Sequence, residues 1–333
     1  MSGSLRAGVI GAGLIAGCHV RAYAQAAGVE VVAVADPRLD KAEKLAASAG
    51  ARACASLDEV LALDADVISV CTPPASHAGL TVRALQAGRH VLCEKPVALS
   101  LRDAGQIQLA AEASDRVVMI GHVSRYEPDH RAARNLVEAG QIGDVAMMTH
   151  SVTTSLPGWS EGGWLARPEE SGGPLFDLAV HSFDYLAWVI GSPAVRVHAV
   201  AADSPAGPAT YGLATVRYAS GAMGQVEASW AHPPGRGFKA AVEITGLDGR
   251  ISWDYDSISG GAIFLADGGV TWLDPLGERG YASEIAAFTA AVRAGGPSPV
   301  PVGDGVAATR TALAALHSAR TGEPVDLTTW EGP

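Results

Sequence analysis

The stretch VIGAGLIAG, Val9 to Gly17, decides how the first part of the chain folds. Its spacing is G-x-G-x-x-A, with Gly11, Gly13 and Ala16 at the defining positions. An apolar strand pattern, LRAGVI, comes before it and a helical pattern follows it. The first glycine permits a tight turn, the second lets a bound group approach the backbone, and the alanine keeps the helix close to the sheet. The stretch therefore predicts a strand, a tight turn and a helix.

The same alternation continues through the first 121 residues. Val- and Ile-rich runs such as DVISVCT and HVLCEK alternate with helical patterns. Continuous apolar runs are typical of strands that are covered on both faces, and repeated strand–helix units favour a parallel, doubly wound sheet. We therefore predict an α/β protein whose first domain covers residues 1–121.

Residues 122–333 have a different pattern, and we assign them to a second domain. One helix fits PDHRAARNLVEAG, and two more close the chain near 282–294 and 305–319, where they could pack back on the first domain. Short glycine turns, which connect antiparallel neighbours, separate the strand-like runs between them. The turn dipeptides are Ser220-Gly221, Asp248-Gly249 and Asp267-Gly268. This pattern predicts an α+β domain with a mostly antiparallel sheet.

Composition excludes several classes of protein. Hydrophobic residues make up 48% and charged residues 18% of the 333 residues, as in soluble globular proteins. The net charge of −11 disfavours binding to nucleic acid or to an anionic membrane, and no apolar run has the length of a membrane span. The four cysteines form no C-x-x-C pair, so we interpret them as reduced core thiols. We expect a cytoplasmic protein with no metal site.

The glycine motif and Asp36 together predict a bound dinucleotide. Asp36 ends the run VVAVAD, at the distance where such sites place an acid for the ribose hydroxyls. Its carboxylate would repel a 2′-phosphate, which favours NAD, but Arg38 could pair with that phosphate, so NADP stays open. The first free N–H groups of the helix, at Leu14 and Ile15, would face the phosphates. A tight turn without a ligand is the structural alternative.

Two later strand ends are further candidates, because ligands of open α/β sheets bind outside the carboxyl ends of the strands. CTPPASH places Thr72, Pro73 and His77 at one of these ends, where the first two would form a backbone wall. His77 could contact the cofactor or could serve only the helix start. CEKP places Lys95 at the end of the next strand. Its side chain could point into the cleft, with Pro96 fixing the direction of the following chain through a cis peptide bond, or it could reach out to solvent.

The stretch SGGPLFDLAVHSFDYLAWVIG suggests acid–base chemistry. Asp177 and His181 are four residues apart, so they would share one face of a helix that begins near Pro174. An aspartate there can hold one ring nitrogen and raise the basicity of the imidazole. The alternative is a surface pair that contributes a few tenths of a kcal/mol. Apolar neighbours such as Phe183 and Leu186 favour a largely buried helix.

The elements GAGLIA, AVAD, CTPP-x-x-H, CEKP and GGP-x-x-D-x-x-x-H occur in this order over essentially the whole chain. In this the chain resembles the Gfo/Idh/MocA family, named for glucose–fructose oxidoreductase and inositol dehydrogenase. The resemblance implies an N-terminal Rossmann domain and a C-terminal domain with a large open sheet, which commonly forms the interface of a homodimer or homotetramer. It also implies hydride transfer between NAD(P) and a secondary hydroxyl or ketone of a sugar, a polyol or a related compound.

By motif position, the resemblance makes Lys95 the catalytic lysine and Asp177 and His181 the helix-borne pair, with Glu94 helping to form the cofactor crevice. We expect His181 to be the base, Asp177 to hold its tautomer and Lys95 to bind the reacting oxygen. Lys95 and His181 could exchange these roles.

The remaining candidates would contact the substrate. They are His122 and Arg125 in GHVSRYEP and Trp159, Trp164 and Arg167 in SLPGWSEGGWLARPEE. Aromatic faces can stack on a sugar, but the tryptophans could equally anchor a long loop by packing. Two other functions stay open: a cofactor-binding regulator without catalysis, and an NAD-dependent glycosidase of the same fold.

Overall fold

A computed structural model describes residues 4–158, 161–204, 207–232, 238–254, 261–265, 270–273 and 280–332. Within these ranges, no helix combines the length and the apolar character that crossing a lipid bilayer requires.

Strands and helices alternate from the start of the chain to residue 121. The strands are β1 (Leu5–Ile10), β2 (Val29–Ala35), β3 (Arg52–Cys54), β4 (Val67–Val70), β5 (His90–Glu94) and β6 (Val118–Gly121). The helices between them are α1 (Leu14–Gln25), α2 (Leu39–Ala47), α3 (Leu57–Leu61), α4 (His77–Gln86) and α5 (Leu101–Glu112). Two short 3-10 turns lie at Pro74–Ser76 and Val123–Tyr126.

The rest of the chain is richer in strands. Its helices are α6 (Pro128–Glu138), α7 (Pro168–Ser171), α8 (Pro174–Asp177), α9 (Ala179–Ile190), α10 (Gly280–Ala294) and α11 (Val302–Thr321), with a 3-10 turn at Glu161–Ala166. Its strands are β7 (Val145–Ser155), β8 (Ala194–Ser204), β9 (Gly207–Tyr218), β10 (Met223–His232), β11 (Lys239–Gly246), β12 (Gly249–Asp254), β13 (Gly261–Leu265), β14 (Val270–Leu273) and β15 (Val325–Asp326).

The chain divides into two compact units. The first consists of Met1–Tyr126 and Glu278–Val306, and the second of Glu127–Gly277 and Ala307–Pro333. The later segment, Glu278–Val306, joins the first unit through two contacts. Helix α10 packs on α1, and the Ile120 amide donates a hydrogen bond to the Val300 carbonyl at 3.1 Å. The domain limits 1–121 and 122–333 stay a sequence prediction.

The first unit contains the predicted parallel, doubly wound sheet. Its strand order is β3-β2-β1-β4-β5-β6, and every neighbouring pair is parallel. Each residue of β4 and β5 is buried, which explains why these strands read as continuous apolar runs. The order reverses between β1 and β4, and in open α/β sheets the ligand crevice lies outside the carboxyl ends of the strands at such a reversal.

The second unit contains the predicted, mostly antiparallel sheet. Its order is β14-β13-β12-β11-β7-β10-β9-β8-β15, in which only the pair β7–β10 is parallel among the pairs described. Ser220-Gly221 joins β9 to β10 and Asp248-Gly249 joins β11 to β12, as predicted. The third predicted turn, Asp267-Gly268, lies outside the described residues. Helix α8 packs on β9 and β10, and α9 packs on β7 and β10.

Candidate active site

The glycine turn after β1 runs tightly against the end of β4. Gly11 has φ +102°, and a Cβ there would lie 2.7 Å from the carbonyl oxygen of Cys71. Because β1 and β4 are hydrogen-bonded neighbours, this approach is built into the sheet. Any other residue at this position would combine a strained backbone with a clash.

Helix α1 presents an open N-terminus beside this turn. Gly13 is its N-cap, and no described side chain caps the free N–H groups of the first turn. A Cβ on Gly13 would have no described atom within 4 Å, whereas Ala16 is fully buried against the sheet. The first-turn N–H groups at Leu14 and Ile15 therefore have the space and the polarity that a pyrophosphate requires.

Asp36 follows β2 and holds the glycine turn in place. Its Oδ2 accepts a hydrogen bond from the Ala12 amide and its Oδ1 accepts one from the Arg38 amide, both at 2.9 Å. Each carboxylate oxygen can accept more than one hydrogen bond, so both can also take a ribose hydroxyl. The Arg38 side chain is exposed and lies 3.6 Å from a carboxylate oxygen of Asp40.

The segment after β4 forms a compact turn. The Ser76 hydroxyl donates to the Thr72 hydroxyl at 2.7 Å, and Pro73 is exposed. His77, the first residue of α4, is fully buried. Its Nδ1 lies 2.8 Å from the carbonyl oxygen of Pro96, and its Nε2 lies 2.8 Å from that of Thr72. The imidazole therefore lies between the segments that follow β4 and β5.

Lys95, half-buried, directly follows β5, and its backbone is held by its neighbour. Glu94 is buried, and its Oε2 accepts a hydrogen bond from the Lys95 amide at 3.1 Å. The Lys95–Pro96 peptide bond is cis, as predicted. Lys95 thus lies at the strand end that the sequence indicated.

Behind Glu94 lies a buried chain of hydrogen bonds that sequence reasoning missed. Glu94 Oε1 lies 2.9 Å from His19 Nε2, and His19 Nδ1 lies 3.1 Å from the Ser69 hydroxyl. That hydroxyl lies 2.8 Å from the hydroxyl of Tyr23. One assignment satisfies the whole chain: Tyr23 donates to Ser69, Ser69 donates to Nδ1, and Nε2–H donates to Glu94. The only sequence signal was a histidine on the apolar helix α1, three residues beyond Ala16.

Glu284 of α10 adds a second buried carboxylate. One side-chain nitrogen of His19 and one carboxylate oxygen each of Glu94 and Glu284 lie within 4.8 Å of one another, and the three side chains are buried. These are residue types that bind metal ions, but His19 Nε2 and Glu94 Oε1 are already hydrogen-bonded to each other. The expected lack of a metal site stays a prediction. Sequence could not have found Glu284, which is almost 200 residues away from Glu94 along the chain.

His122 and Arg125 follow β6 in the first unit. His122 is fully buried. The guanidinium of Arg125 is also buried, and its Nη1 lies 2.9 Å from the Asp304 carboxylate at the start of α11. This ion pair gives Arg125 a structural partner in addition to the substrate role expected of it.

Asp177 and His181 belong to the second unit, where they lie on two helices rather than one. Asp177 is the last residue of α8, and His181 is in the first turn of α9, which begins at Ala179. The helix tightens here, because the His181 amide bonds to the Leu178 carbonyl three residues back, at 3.3 Å. Both side chains are half-buried, and α9 is largely buried, as its apolar residues predicted.

The remaining predicted substrate residues are in the loop after β7. Trp164 is half-buried. Arg167 binds Glu170 through two hydrogen bonds, from Nε at 2.5 Å and from Nη2 at 2.8 Å, and this contact lowers the pKa of the Glu170 carboxyl. Trp159 lies outside the described residues.

Comparison with known proteins agrees with this arrangement. Residues 5–122 match the family described as an oxidoreductase family with an NAD-binding Rossmann fold, and residues 130–252 match the GFO/IDH/MocA C-terminal domain. The chain is 29% identical to inositol 2-dehydrogenase of Rhizobium meliloti (strain 1021), over 95% of this chain and 97% of that protein. It is 31% identical to 1,5-anhydro-D-fructose reductase of Ensifer adhaerens, over 97% and 99% respectively.

A solved structure is similar over the whole length. GenD2 from gentamicin A biosynthesis, crystallised in complex with NAD, has a TM-score of 0.86 and 30% identity, covering 98% of this chain and 97% of that one. Both domains, the motif order and the full-length relatives therefore agree, and the chain belongs to the GFO/IDH/MocA family of oxidoreductases with an NAD-binding Rossmann fold.

Proposed function

We propose that this protein transfers a hydride between NAD and a secondary hydroxyl or ketone of a cyclic polyol or sugar. The observation that carries the proposal is the full-length similarity to an inositol 2-dehydrogenase and to a 1,5-anhydro-D-fructose reductase. The chain also has Lys95, Asp177 and His181 in the sequence motifs CEKP and GGP-x-x-D-x-x-x-H. Both relatives are named for reactions of ring compounds that carry several hydroxyls, so we infer a substrate of this class.

The residues around the glycine turn would bind the cofactor. The N–H groups at Leu14 and Ile15 would hold the pyrophosphate, and the open position at Gly13 would let it approach. Asp36 would accept the ribose hydroxyls, and its charge would repel a 2′-phosphate, so NAD is preferred. When bound, the nicotinamide supplies the site that accepts or returns the hydride.

The acid–base work would fall to three side chains. Lys95 would donate a hydrogen bond to the reacting oxygen and stabilise the negative charge that develops on it. His181 would take the hydroxyl proton, since the pKa of an imidazole is near neutral, and Asp177 would hold its tautomer. Trp164, Arg167, Trp159, His122 and Arg125 stay candidates for substrate contacts.

A panel assay tests this function. The purified protein is incubated with NAD and, separately, with inositols, aldoses, anhydro sugars and nitrophenyl glycosides. We expect NADH formation, read at its absorbance band, with at least one ring polyol or sugar. Release of nitrophenol would identify a glycosidase instead. No turnover with any compound, despite measurable NAD binding, would support a cofactor-binding regulator.

A pair of lysine variants tests the catalytic assignment. Lys95→Ala should keep its affinity for NAD and lose about 10²–10⁴-fold in kcat, which is the usual contribution of a positioned acid–base group. Lys44→Ala is the matched control, because Lys44 is exposed on α2 in the same unit. Unchanged kcat in Lys95→Ala would refute the role of Lys95 without affecting the proposed reaction.

We also propose that the protein is a homo-oligomer of the cytoplasm. Met147 of β7 and Met223 of β10 are register partners, and their exposed fractions are 42% and 43%. Such an apolar pair on a sheet fits a homodimer or homotetramer, which light scattering would detect and Met223→Glu should weaken. All four cysteines are free thiols, which fits the reducing cytoplasm.

A further inference from the structure

His77 has a hydrogen-bonding environment that a neutral imidazole cannot satisfy. Its Nδ1 faces the Pro96 carbonyl and its Nε2 faces the Thr72 carbonyl, each at 2.8 Å. A carbonyl oxygen only accepts, and a neutral ring has one N–H, so one nitrogen would direct a lone pair at an oxygen. Turning the ring over would bring carbon atoms to these positions and supply no second donor. An imidazolium donates to both carbonyls.

Two effects oppose the charge, and contacts with Cys93 and with two carbonyls offset them. His77 is fully buried, and it is the first residue of α4, where the helix dipole disfavours a cation. Burial alone would lower the pKa of His77. The Cys93 side chain and the two carbonyl hydrogen bonds outweigh burial and raise the pKa to about 9.

Among the described residues, Cys93 is the titratable group that shifts the pKa of His77. Helix α4 packs against α3, α5, β4 and β5, and the titratable group that faces the imidazole from these elements is the Cys93 thiol of β5. The titratable side chains of the two packed helices and of α4 itself are exposed or half-buried: Asp58, Glu59, Arg83, Arg102, Asp103 and Glu112.

The two carbonyls belong to segments that matter for the proposed reaction. Thr72 is in the turn after β4, and Pro96 directly follows Lys95. The Lys95 amide is already bonded to the Glu94 carboxylate at 3.1 Å. Lys95 is therefore held on its N-terminal side by the buried Glu94 side chain and on its C-terminal side, through Pro96, by the ring of His77. Fixing the backbone on both sides limits the directions in which its side chain can point.

We propose that His77 is an imidazolium in the folded protein, and that it acts as a positioning residue by clamping the backbone beyond Lys95 to the turn after β4. Both ring nitrogens are engaged with the backbone, so its role is not to bind a ligand. The catalytic consequence rests on the proposed function of Lys95, whereas the charge and the clamp do not.

Nuclear magnetic resonance of the full chain with ¹⁵N-labelled histidine tests the charge. At pH 7.5 both His77 nitrogens should show the shifts of protonated imidazolium, assigned by their loss in His77→Gln. His150, which is also buried, is the internal reference. Neither of its ring nitrogens has a hydrogen-bond partner in the described part of the chain, and burial lowers its pKa well below the usual value. It should be neutral in the same spectrum. A neutral His77 at pH 7.5 would overturn the proposal.

Two variants test the clamp. The side-chain amide nitrogen of Asn occupies roughly the place of Nδ1, so His77→Asn keeps a donor toward the Pro96 carbonyl. The side-chain amide nitrogen of Gln occupies roughly the place of Nε2, so His77→Gln keeps only the hydrogen bond to the Thr72 carbonyl. Hydrogen exchange of the Lys95 amide should be on the order of fivefold faster in His77→Gln than in His77→Asn, the net effect of one hydrogen bond between neutral groups. Equal exchange rates in the two variants would refute the clamp.

The wild-type protein gives the same answer if neither variant folds. Its Lys95 amide shift should follow the titration of His77, with a midpoint near pH 9. A Lys95 amide that does not respond while His77 titrates would exclude the coupling. Turnover then separates the two proposals: kcat should fall more in His77→Gln than in His77→Asn, with unchanged affinity for NAD. Absence of any dehydrogenase activity would refute the proposed function and leave the two spectroscopic tests intact.

Discussion

Raising the pH should destabilise the first unit through His77 specifically. The pKa of His77 is about 9 in the folded protein and 6.5 for an ordinary histidine, so the folded state binds more protons between these values. Its contribution to stability is fully present below pH 6.5 and is lost as the pH rises through about 9. The interval is about 2.5 pH units, and each unit corresponds to ~1.4 kcal/mol, so the loss is about 3 kcal/mol.

The assay must report on the first unit alone. All seven tryptophans lie outside Met1–Tyr126 and Glu278–Val306, so their fluorescence follows the second unit. Urea unfolding is therefore read by pulsed hydrogen exchange of peptides that cover β4 and β5. The free energy of unfolding of the wild type is compared with that of His77→Gln at several pH values between 6 and 9.5, because other titrating groups cancel in the difference. Parallel curves for the two proteins would show that His77 does not carry this charge.

Three further predictions concern other residues. The second unit should lose less stability below pH 6.5 in His150→Phe than in the wild type. The pKa of the buried His150 is lowered in the folded state, so acid favours the unfolded state, in which this histidine can be protonated. Tryptophan fluorescence during acid unfolding measures the difference. Asp36→Ala should raise the affinity for NADP relative to NAD by roughly tenfold, measured as two dissociation constants, and an unchanged ratio would argue against Asp36 as the selector. Gly11→Ala should lower the free energy of unfolding by more than ~1 kcal/mol and abolish NAD binding, because the added Cβ would lie 2.7 Å from the Cys71 carbonyl oxygen. NAD binding that is still detected by calorimetry would contradict this.

Local sequence patterns were sufficient to predict most of the fold of the first unit. The run around Gly11, the acid at Asp36 and the buried strand before Lys95 each depend on contacts within one strand–turn–helix unit, whose periodicity is visible in sequence. The structure confirms the parallel sheet and the cis bond before Pro96. For the second unit, the glycine turns were sufficient to predict antiparallel strands, but not the parallel pairing of β7 with β10.

Other features depended on partners that are distant along the chain. The Asp177–His181 spacing suggested one helix, but the chain tightens between them and forms two. The sequence left His77 open as a cofactor contact or as part of the helix start, and its two carbonyl partners became visible only in the fold. Arg125 was read as a substrate residue, and its pairing with Asp304 became visible only in the fold.

The sequence by itself determined the class of the protein, the order of its elements and the residues from which a dinucleotide site would be built. Periodicity and turn chemistry are local properties, so a chain displays them before it folds. Only the tertiary structure decided what each of these side chains faces. The protonation state of His77 and the support of Lys95 by Glu94 and His19 depend on atoms from different strands and helices that meet at one edge of the sheet. Their proximity is a product of packing, which no spacing along the chain encodes.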